Sequence, residues 1–328
     1  MIDNSSEFSK EKLDEFMLMA AELAKNGLGH TRPNPAVGAV IVIDSEIVGE
    51  GWHKRAGGDH AEVAAIKNAK RRGVKSFEGA TLFVTLEPCS RKGRVGACTD
   101  AIAEAGISRV YYAVPDPNPV NRGRASRVLA KHGVKCTRYK GSSIVAEACE
   151  NLIRGFSMMI NHSRPFVTVK IAMSLDGRIC DKNGYAKWIS SAKARRKTGR
   201  IREMCDAIMV GAQTVRKDNP SLLSHGKKNP DLVRVIVSRS GNLPPEAQVF
   251  TDGKNETLVF NDAKSAIYEL GSKGFQWVLC EGGMELAVSL AEQGLVDEWV
   301  TVLAPKVIGG KNPIGQAVKL KRVVCLQD

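Results

Sequence analysis

His60 and Glu62 stand two residues apart in Asp59-His60-Ala61-Glu62-Val63, and Pro88-Cys89 and then Cys98 follow. His60, Cys89 and Cys98 supply one nitrogen and two sulfurs. These are three protein ligands for Zn²⁺, with the fourth tetrahedral position left to water. Zinc as a Lewis acid lowers the pKa of that water and makes hydroxide available near neutral pH. Glu62 is not needed as a ligand and can carry protons between the water and a leaving amine. His-x-Glu followed by Pro-Cys is the zinc-deaminase pattern, which carries its second cysteine as Cys-x-x-Cys. Here Ser90 to Ala97 separate the two cysteines. A single His at a helix start is usually a cap, and a free Cys usually a small buried hydrophobe. Four suitable residues in this order argue for a catalytic zinc site. A closed structural site would want a fourth Cys or His, and His53 is the only local candidate.

The elements around these residues alternate. Residues 11–26 place Leu13, Phe16, Met17, Ala20, Leu23 and Ala24 on one helical face, with Gly27 as the stop. Strand 36–43 turns through Asp44-Ser45 into Ile47-Val48-Gly49. Residues 61–72 form a helix, and strand 80–86 delivers Glu87-Pro88-Cys89 at its end. Helix 98–105, strand 110–114, helix 124–131 and strand 134–137 complete the run. This alternation predicts an α/β sheet with helices on both faces. Both His60 and Cys98 begin helices, where the N-terminus favours thiolate over thiol. Residues 143–161 read as one long bridging helix. The pattern restarts at Asn161-His-Ser-Arg-Pro, so the expected domains are 1–158 and 159–328.

A length of 328 residues suits two domains, and 43% hydrophobic with 25% charged residues is ordinary for a soluble globular protein. No apolar run approaches a membrane span, and the polar start lacks a signal-peptide core, so a cytoplasmic location and no membrane partner are expected. Eight cysteines at irregular spacing do not resemble a disulfide framework. A net charge of +13 raises nucleic-acid binding. The excess is dispersed and only 5% of residues are aromatic, which suits anionic small molecules as well; no nucleic-acid partner is expected. Oligomeric state is not readable, and a homo-oligomer is compatible with the sequence.

The second half opens with strand 166–171 and a polar turn from Ala172 to Arg178. Residues 191–204 form a basic helix on which Arg195 and Arg202, seven apart, share a face. Either guanidinium fork can hold a phosphate. Strands 207–211 and 233–237 follow. Strand 275–280 then ends at Glu281-Gly282-Gly283 before a helix through Leu290, and a late strand spans 298–303. Strand, Gly-Gly and helix is a geometry for phosphate on helix amides, although a glycine pair is also an ordinary turn. No Gly-x-Gly-x-x-Gly follows an early strand, so a Rossmann domain is unsupported.

The chain resembles the bifunctional deaminase–reductase family of riboflavin biosynthesis over nearly its whole length. Thr31-Arg-Pro-Asn-Pro-Ala-Val-Gly, Ala56-Gly-Gly-Asp-His-Ala-Glu-Val, Thr85-Leu-Glu-Pro-Cys-Ser and Asp116-Pro-Asn-Pro match its deaminase half. Lys170-Ile-Ala-Met-Ser-Leu-Asp-Gly-Arg, Lys187-Trp-Ile-Ser-Ser, Asp206-Ala-Ile-Met-Val-Gly, Thr214-Val-Arg-Lys-Asp-Asn-Pro-Ser-Leu, Glu281-Gly-Gly and Leu295-Val-Asp-Glu match its reductase half. The resemblance implies a cytidine-deaminase-like α/β/α domain followed by a dihydrofolate-reductase-like α/β domain. It implies deamination of a phosphorylated ribosylamino-pyrimidine with Zn²⁺ and NADPH reduction of its ribose to ribityl. By matching position, Ala172, Trp188, Thr214, Asp218, Ser238 and the turn Gly283-Met284-Glu285 would contact NADPH. Ala186, Arg202, Leu222 and Glu281 would contact substrate, with His225 standing where the family tends to carry a substrate-binding Arg. Between the cysteines the family usually has His and Thr-Pro-Pro; here stand Arg91, Lys92, Val95, Gly96 and Ala97, which leaves zinc ligation intact. The chain stops at Cys325-Leu-Gln-Asp, earlier than the family pattern, so a final strand is expected to be missing or supplied otherwise.

Overall fold

Ser9 starts the first helix by accepting a hydrogen bond from the Lys12 amide, and α1 (Lys10–Ala24) then buries Phe16, Met17, Ala20, Ala21 and Ala24 along one stripe. In this computed structural model the chain divides into two units, residues 1–161 and 162–328. The structure describes residues 8–91, 96–180, 189–224, 229–308 and 323–327.

The first unit continues with β1 (Gly38–Ile43), β2 (Glu46–Trp52), α2 (Ala61–Arg71), β3 (Thr81–Leu86), α3 (Cys98–Ala105), β4 (Arg109–Val114), α4 (Ala125–Ala130) and β5 (Lys135–Arg138). It closes with α5 (Ser143–Leu152) and α6 (Arg154–His162), the last residue of which opens the second unit. Asp44 and Ser45, at φ 50° and 66°, make the tight turn between β1 and β2. The sheet runs β2-β1-β3-β4-β5, with β1 antiparallel to both neighbours and β3, β4 and β5 parallel. Two glycines of β2 let α2 lie almost on the strand. A Cβ on Gly51 would sit 2.3 Å from the Ala65 nitrogen and 2.5 Å from the Ala61 oxygen, and one on Gly49 would sit 2.7 Å from the Ala65 oxygen. On β1, Gly38 has the same relation to Ala20 of α1.

The second unit holds β6 (Phe166–Ser174), α7 (Ala192–Met204), β7 (Ala207–Gly211), α8 (Ala212–Asp218), β8 (Val233–Val237), α9 (Gln248–Thr251), β9 (Thr257–Phe260), α10 (Ala263–Ser272), β10 (Trp277–Cys280), α11 (Met284–Glu292), β11 (Glu298–Ala304) and β12 (Val323–Gln327). Its sheet order is β12-β11-β6-β10-β7-β8-β9, and each neighbouring pair is parallel. A parallel sheet covered on both faces needs strands that are apolar on both sides. Accordingly β7 sends Ala207 and Met209 into one core cluster and Ile208 and Val210 into another. The buried Arg164 guanidinium grips Asp297 with two bonds of 2.6 and 2.8 Å, and Asp297 also accepts the Val167 amide. That contact fastens the start of β6 to the entry of β11.

Several expectations change. The single helix over 143–161 is two, broken at Ile153, whose φ of −108° leaves the helical range. The unit boundary falls at 161/162 rather than 158/159, because α6 completes the first unit. The polar segment after Ile171 continues the strand to Ser174, since pairing with β11 outweighs its polarity. The closing residues of the chain form a strand of their own, β12, paired parallel beside β11. Elements α8, α9 and β9 carry too short an apolar period to be read from sequence, whereas α10 does carry one, in Ala263, Ala266, Ile267 and Leu270, and goes unread.

Gly51→Ala forces its methyl into the α2 backbone. Overpacking of this kind costs about 1–3 kcal/mol. Thermal unfolding of the variant should begin several degrees lower, by roughly 2–4 °C per kcal/mol for a unit of this size. Calorimetry checks it, and an unchanged transition would contradict the close contact.

Candidate functional site

In the first unit, three separate elements bring the chemistry-bearing residues together. His60 is the N-cap of α2, with its carbonyl accepting the Ala64 amide at 2.9 Å. Glu62 lies in the first turn of that helix and is only 3% exposed. Cys89 follows the end of β3, and Cys98 opens α3. The His60 Nδ1 lies 3.1 Å from the Cys98 sulfur and 3.6 Å from the Cys89 sulfur. One donor atom from each of His60, Cys89 and Cys98 falls within 4.8 Å of the others. Tetrahedral zinc, with Zn–S about 2.3 Å and Zn–N about 2.0–2.1 Å, implies ligand-to-ligand edges of roughly 3.4–3.8 Å. The donor set and its spacing therefore fit a zinc ion.

The electrostatics agree with metal-binding chemistry. The Cys89 thiol is drawn down to about 4, first by the hydrogen bond from Cys98 and then by His60 and the Cys98 amide, which outweigh burial. Cys98 is pushed well up by its bond to Cys89 and by burial. The two sulfurs thus hold one proton between them. His60 is raised, chiefly by its bond to Cys89. Ligation needs thiolates and a neutral imidazole, so a divalent cation would take the place of that shared proton. Burial, and after it the charge on Cys89, raises the Glu62 carboxyl. A carboxyl raised in this way holds its proton more readily than an exposed one, as a group that gives and takes protons must.

His53, the candidate fourth ligand, is committed elsewhere. Its Nδ1 faces the Asp59 carbonyl at 2.9 Å and its Nε2 faces the Asn34 amide nitrogen at 3.0 Å. A carbonyl only accepts, so Nδ1 carries the proton and Nε2 accepts from Asn34. Burial lowers the pKa of His53 and keeps it neutral. Its ring packs edge-on against His60 at 5.3 Å between centroids. Among the described residues three protein ligands remain, the number that a catalytic zinc site takes from its protein.

Sequence reasoning missed Glu87. Its buried carboxylate accepts the amides of Asp116 (3.2 Å), Gly123 (3.0 Å) and Ala125 (3.2 Å). It thereby fixes the loop after β4 to the strand end that carries Cys89. Asp116 in turn accepts from the Asn118 amide and the Asn121 side chain. A carboxylate just before Pro88-Cys89, with Asp116-Pro-Asn-Pro elsewhere in the chain, was the available signal. Sequence could not show that the two meet.

In the second unit a cleft of about 1180 Å³ opens along the C-terminal ends of the parallel strands. This edge is where open parallel sheets bind ligands. Of the residues singled out above, Ala172, Arg195, Arg202, Thr214, Asp218, Ser238, Glu281, Gly283, Met284 and Glu285 line it. Gly283 is the N-cap of α11, and space beside it is open, so an anion can approach the backbone there. Ser238 is 2% exposed and its hydroxyl has no hydrogen-bond partner among the described residues. A buried hydroxyl on a cleft wall without a partner is a place for a ligand atom. Arg202 pairs with Glu281 through Nε at 3.3 Å and a terminal nitrogen at 2.5 Å, and also donates to the Leu223 carbonyl at 2.8 Å. Arg195 donates to the Ser190 carbonyl. The Leu222 side chain is off the cleft and 2% exposed in the core, at φ 52°. Ala186, Trp188 and His225 lie outside the described residues.

Residues 10–114 match the family described as the cytidine and deoxycytidylate deaminase zinc-binding region, and residues 165–327 match the RibD C-terminal domain. The riboflavin biosynthesis protein RibD of Synechocystis is 37% identical over 90% of this chain and 85% of that protein. That of Escherichia coli is 33% identical over 90% and 88%. The solved structure of a diaminohydroxyphosphoribosylaminopyrimidine deaminase/5-amino-6-(5-phosphoribosylamino)uracil reductase from Thermotoga maritima is 36% identical. It superposes with a TM-score of 0.84, covering 92% of this chain and 89% of that one.

Cys89→Ala removes the thiolate that draws the trio together. The purified variant should carry far less zinc than the wild type by atomic absorption. Full occupancy would remove Cys89 from the ligand set.

Proposed function

The chain belongs to the RibD family of bifunctional riboflavin biosynthesis enzymes, with a zinc-binding deaminase domain before an NADPH-dependent reductase domain, and from that premise we propose which residues carry each step. The observation that carries the deaminase reading is the convergence of His60, Cys89 and Cys98 beside the buried Glu62. Those three would hold the zinc. When bound, zinc supplies a Lewis acid that makes water a nucleophile near neutral pH. The substrate is 2,5-diamino-6-(5-phosphoribosylamino)pyrimidin-4-one, whose amino group leaves as ammonia while the water oxygen becomes the ring carbonyl. Glu62 accepts a proton from the water on a carboxylate oxygen and returns it to the departing nitrogen. Burial raises that carboxyl above the ordinary carboxylate value, which favours a group that both takes up and returns a proton.

In the second unit the cleft would take the deaminated product beside NADPH. The cofactor supplies the hydride that turns the ribosyl group into ribityl, so the protein's task is to hold both partners in line. Ala172, Thr214, Asp218, Ser238 and the turn Gly283-Met284-Glu285 would line the cofactor's path. Glu281 aligns the Arg202 fork, and the pair would hold the substrate, with Arg202 toward its phosphate. Trp188, Ala186 and His225 keep the roles that the resemblance implies; Leu222, whose side chain is in the core, would meet substrate only through its backbone. The partners are small phosphorylated molecules. Among the described residues no helix is long and apolar enough to cross a membrane. A reducing, cytoplasmic setting suits an enzyme whose two zinc thiolates must stay out of a disulfide.

Incubating the full chain with the phosphorylated diaminopyrimidine tests both halves. Without NADPH the product should be the deaminated uracil. With NADPH it should be the ribityl compound, with matching NADPH oxidation. Glu62→Gln keeps the volume but cannot cycle protons. Deamination should fall about 10²–10⁴-fold with zinc content unchanged, and the reductase step on pre-deaminated substrate should be unaffected. Near-normal deamination would remove Glu62 from the proton path.

A further inference from the structure

Charge along α7 is one-sided. The helix carries six cations, Lys193, Arg195, Arg196, Lys197, Arg200 and Arg202, against one carboxylate, Glu203, near its end. Helical spacing puts Arg195, Thr198, Gly199 and Arg202 on one face, and these line the cleft. It puts Lys193, Arg196, Lys197 and Arg200 on the opposite face, where all four are exposed. None of these four has an ion pair or hydrogen bond among the described residues, whereas exposed lysines elsewhere take a local carboxylate, Lys12 with Glu15, Lys25 with Glu22 and Lys273 with Glu269. The arrangement works against the helix. Lys193 and Arg196, and Lys197 and Arg200, are three apart; Lys193 and Lys197, and Arg196 and Arg200, are four apart; like charges repel at both spacings. Lys193 also stands in the first turn, where the helix dipole favours an acid and none is present. A charge pattern that weakens its own helix points to a use outside it.

We infer that the outer face of α7 is an electrostatic collector, which draws the anionic ligands of the adjoining cleft toward its mouth and speeds their entry without touching them once bound. The inference rests on the reading of this cleft as the reductase site. NADPH carries three phosphate groups and the substrate one, so both respond to the same field. The unit as a whole adds to it, since residues 162–328 hold 25 Lys and Arg against 17 Asp and Glu. A helix diameter of about 10–12 Å separates the outer stripe from the cleft face. The Debye length is about 8 Å at physiological ionic strength and about 30 Å at 0.01 M salt, so the field reaches the cleft and salt sets its strength there. Fields of one sign beside a cleft raise association rates by about 10–10³-fold. Lys193, Arg196, Lys197 and Arg200 lie on the face turned away from the cleft, so they act on arrival and leave the bound complex to the cleft's own residues.

Stopped-flow mixing of the full chain with NADPH, followed by the cofactor's fluorescence, reads association and dissociation separately. The test variant carries Lys193→Gln, Arg196→Gln, Lys197→Gln and Arg200→Gln together. Glutamine keeps the helix propensity and removes the repulsion, so this variant should unfold no lower than wild type. In about 0.01 M salt its association rate should fall roughly tenfold, with dissociation unchanged. In about 1 M salt, where the Debye length is about 3 Å, the two proteins should associate at the same rate. Gly283→Val fills the open space at the start of α11 and should weaken NADPH at any salt concentration. If Gly283→Val loses NADPH while the glutamine variant associates as fast as wild type in low salt, the collector is absent and the cleft reading stands. If Gly283→Val binds NADPH as tightly as wild type, the cleft is not the cofactor site and the inference falls with it. Faster release from the glutamine variant, persisting in high salt, would also overturn it, because α7 would then be holding the bound ligand.

Discussion

The closeness of α2 to the first-unit sheet is the constraint on which the zinc chemistry depends. His60 and Glu62 ride on the first turn of that helix, so its position over β2 decides where they sit. Gly49 and Gly51 allow an approach in which backbone meets backbone. Any side chain larger than hydrogen there lifts α2 and carries His60 away from the two sulfurs, which arrive from the end of β3 and the start of α3. A shift of one ångström is large beside the 3.1 and 3.6 Å that separate the imidazole nitrogen from the sulfurs. Core packing is dense enough to transmit such a displacement rather than absorb it.

Around that contact the polar groups are satisfied in an order that leaves few options. His53 is held by Asp59 and Asn34 and stays neutral, so it stiffens the approach to His60 without competing for the metal. Glu87 is consumed by three amides and ties the Asp116 loop to the Cys89 strand. Glu62, beside the sulfurs, is left to chemistry and is raised by burial. Placing one carboxyl in structure and the other in chemistry is the work of local environment, since both are buried.

The second unit meets a different demand with a parallel sheet. All its strand ends face one edge, so turns, helix starts and cationic side chains collect there. The buried Arg164–Asp297 pair holds the frame. The Arg202–Glu281 pair, at the rim, holds a fork in readiness. Pairs of this kind are costly to break one partner at a time, because the survivor is left as a desolvated charge. That cost is why such a fork keeps its orientation between ligands.

The sequence by itself determined the ligand types and the alternation of elements. His60, Glu62, Cys89 and Cys98 are legible because zinc chemistry admits few residue types and the Pro-Cys and His-x-Glu patterns are local. Strands β3, β4, β7 and β8 are legible because buried strands are short, largely apolar runs rich in β-branched and aromatic residues. Other features were decided only by tertiary structure. Whether Ser174 ends a strand depends on pairing with β11, 130 residues away along the chain between Ser174 and Ala304. Whether His53 is a ligand depends on Asn34 and Asp59 reaching it first. That Ser238 has a buried hydroxyl without a partner, and that Arg216 is braced against the turn bearing Arg239, follow from the order in which β7, β8 and α8 pack. Such facts are invisible in one dimension, because a hydrogen bond is satisfied or left open by whatever the fold brings within about 3 Å.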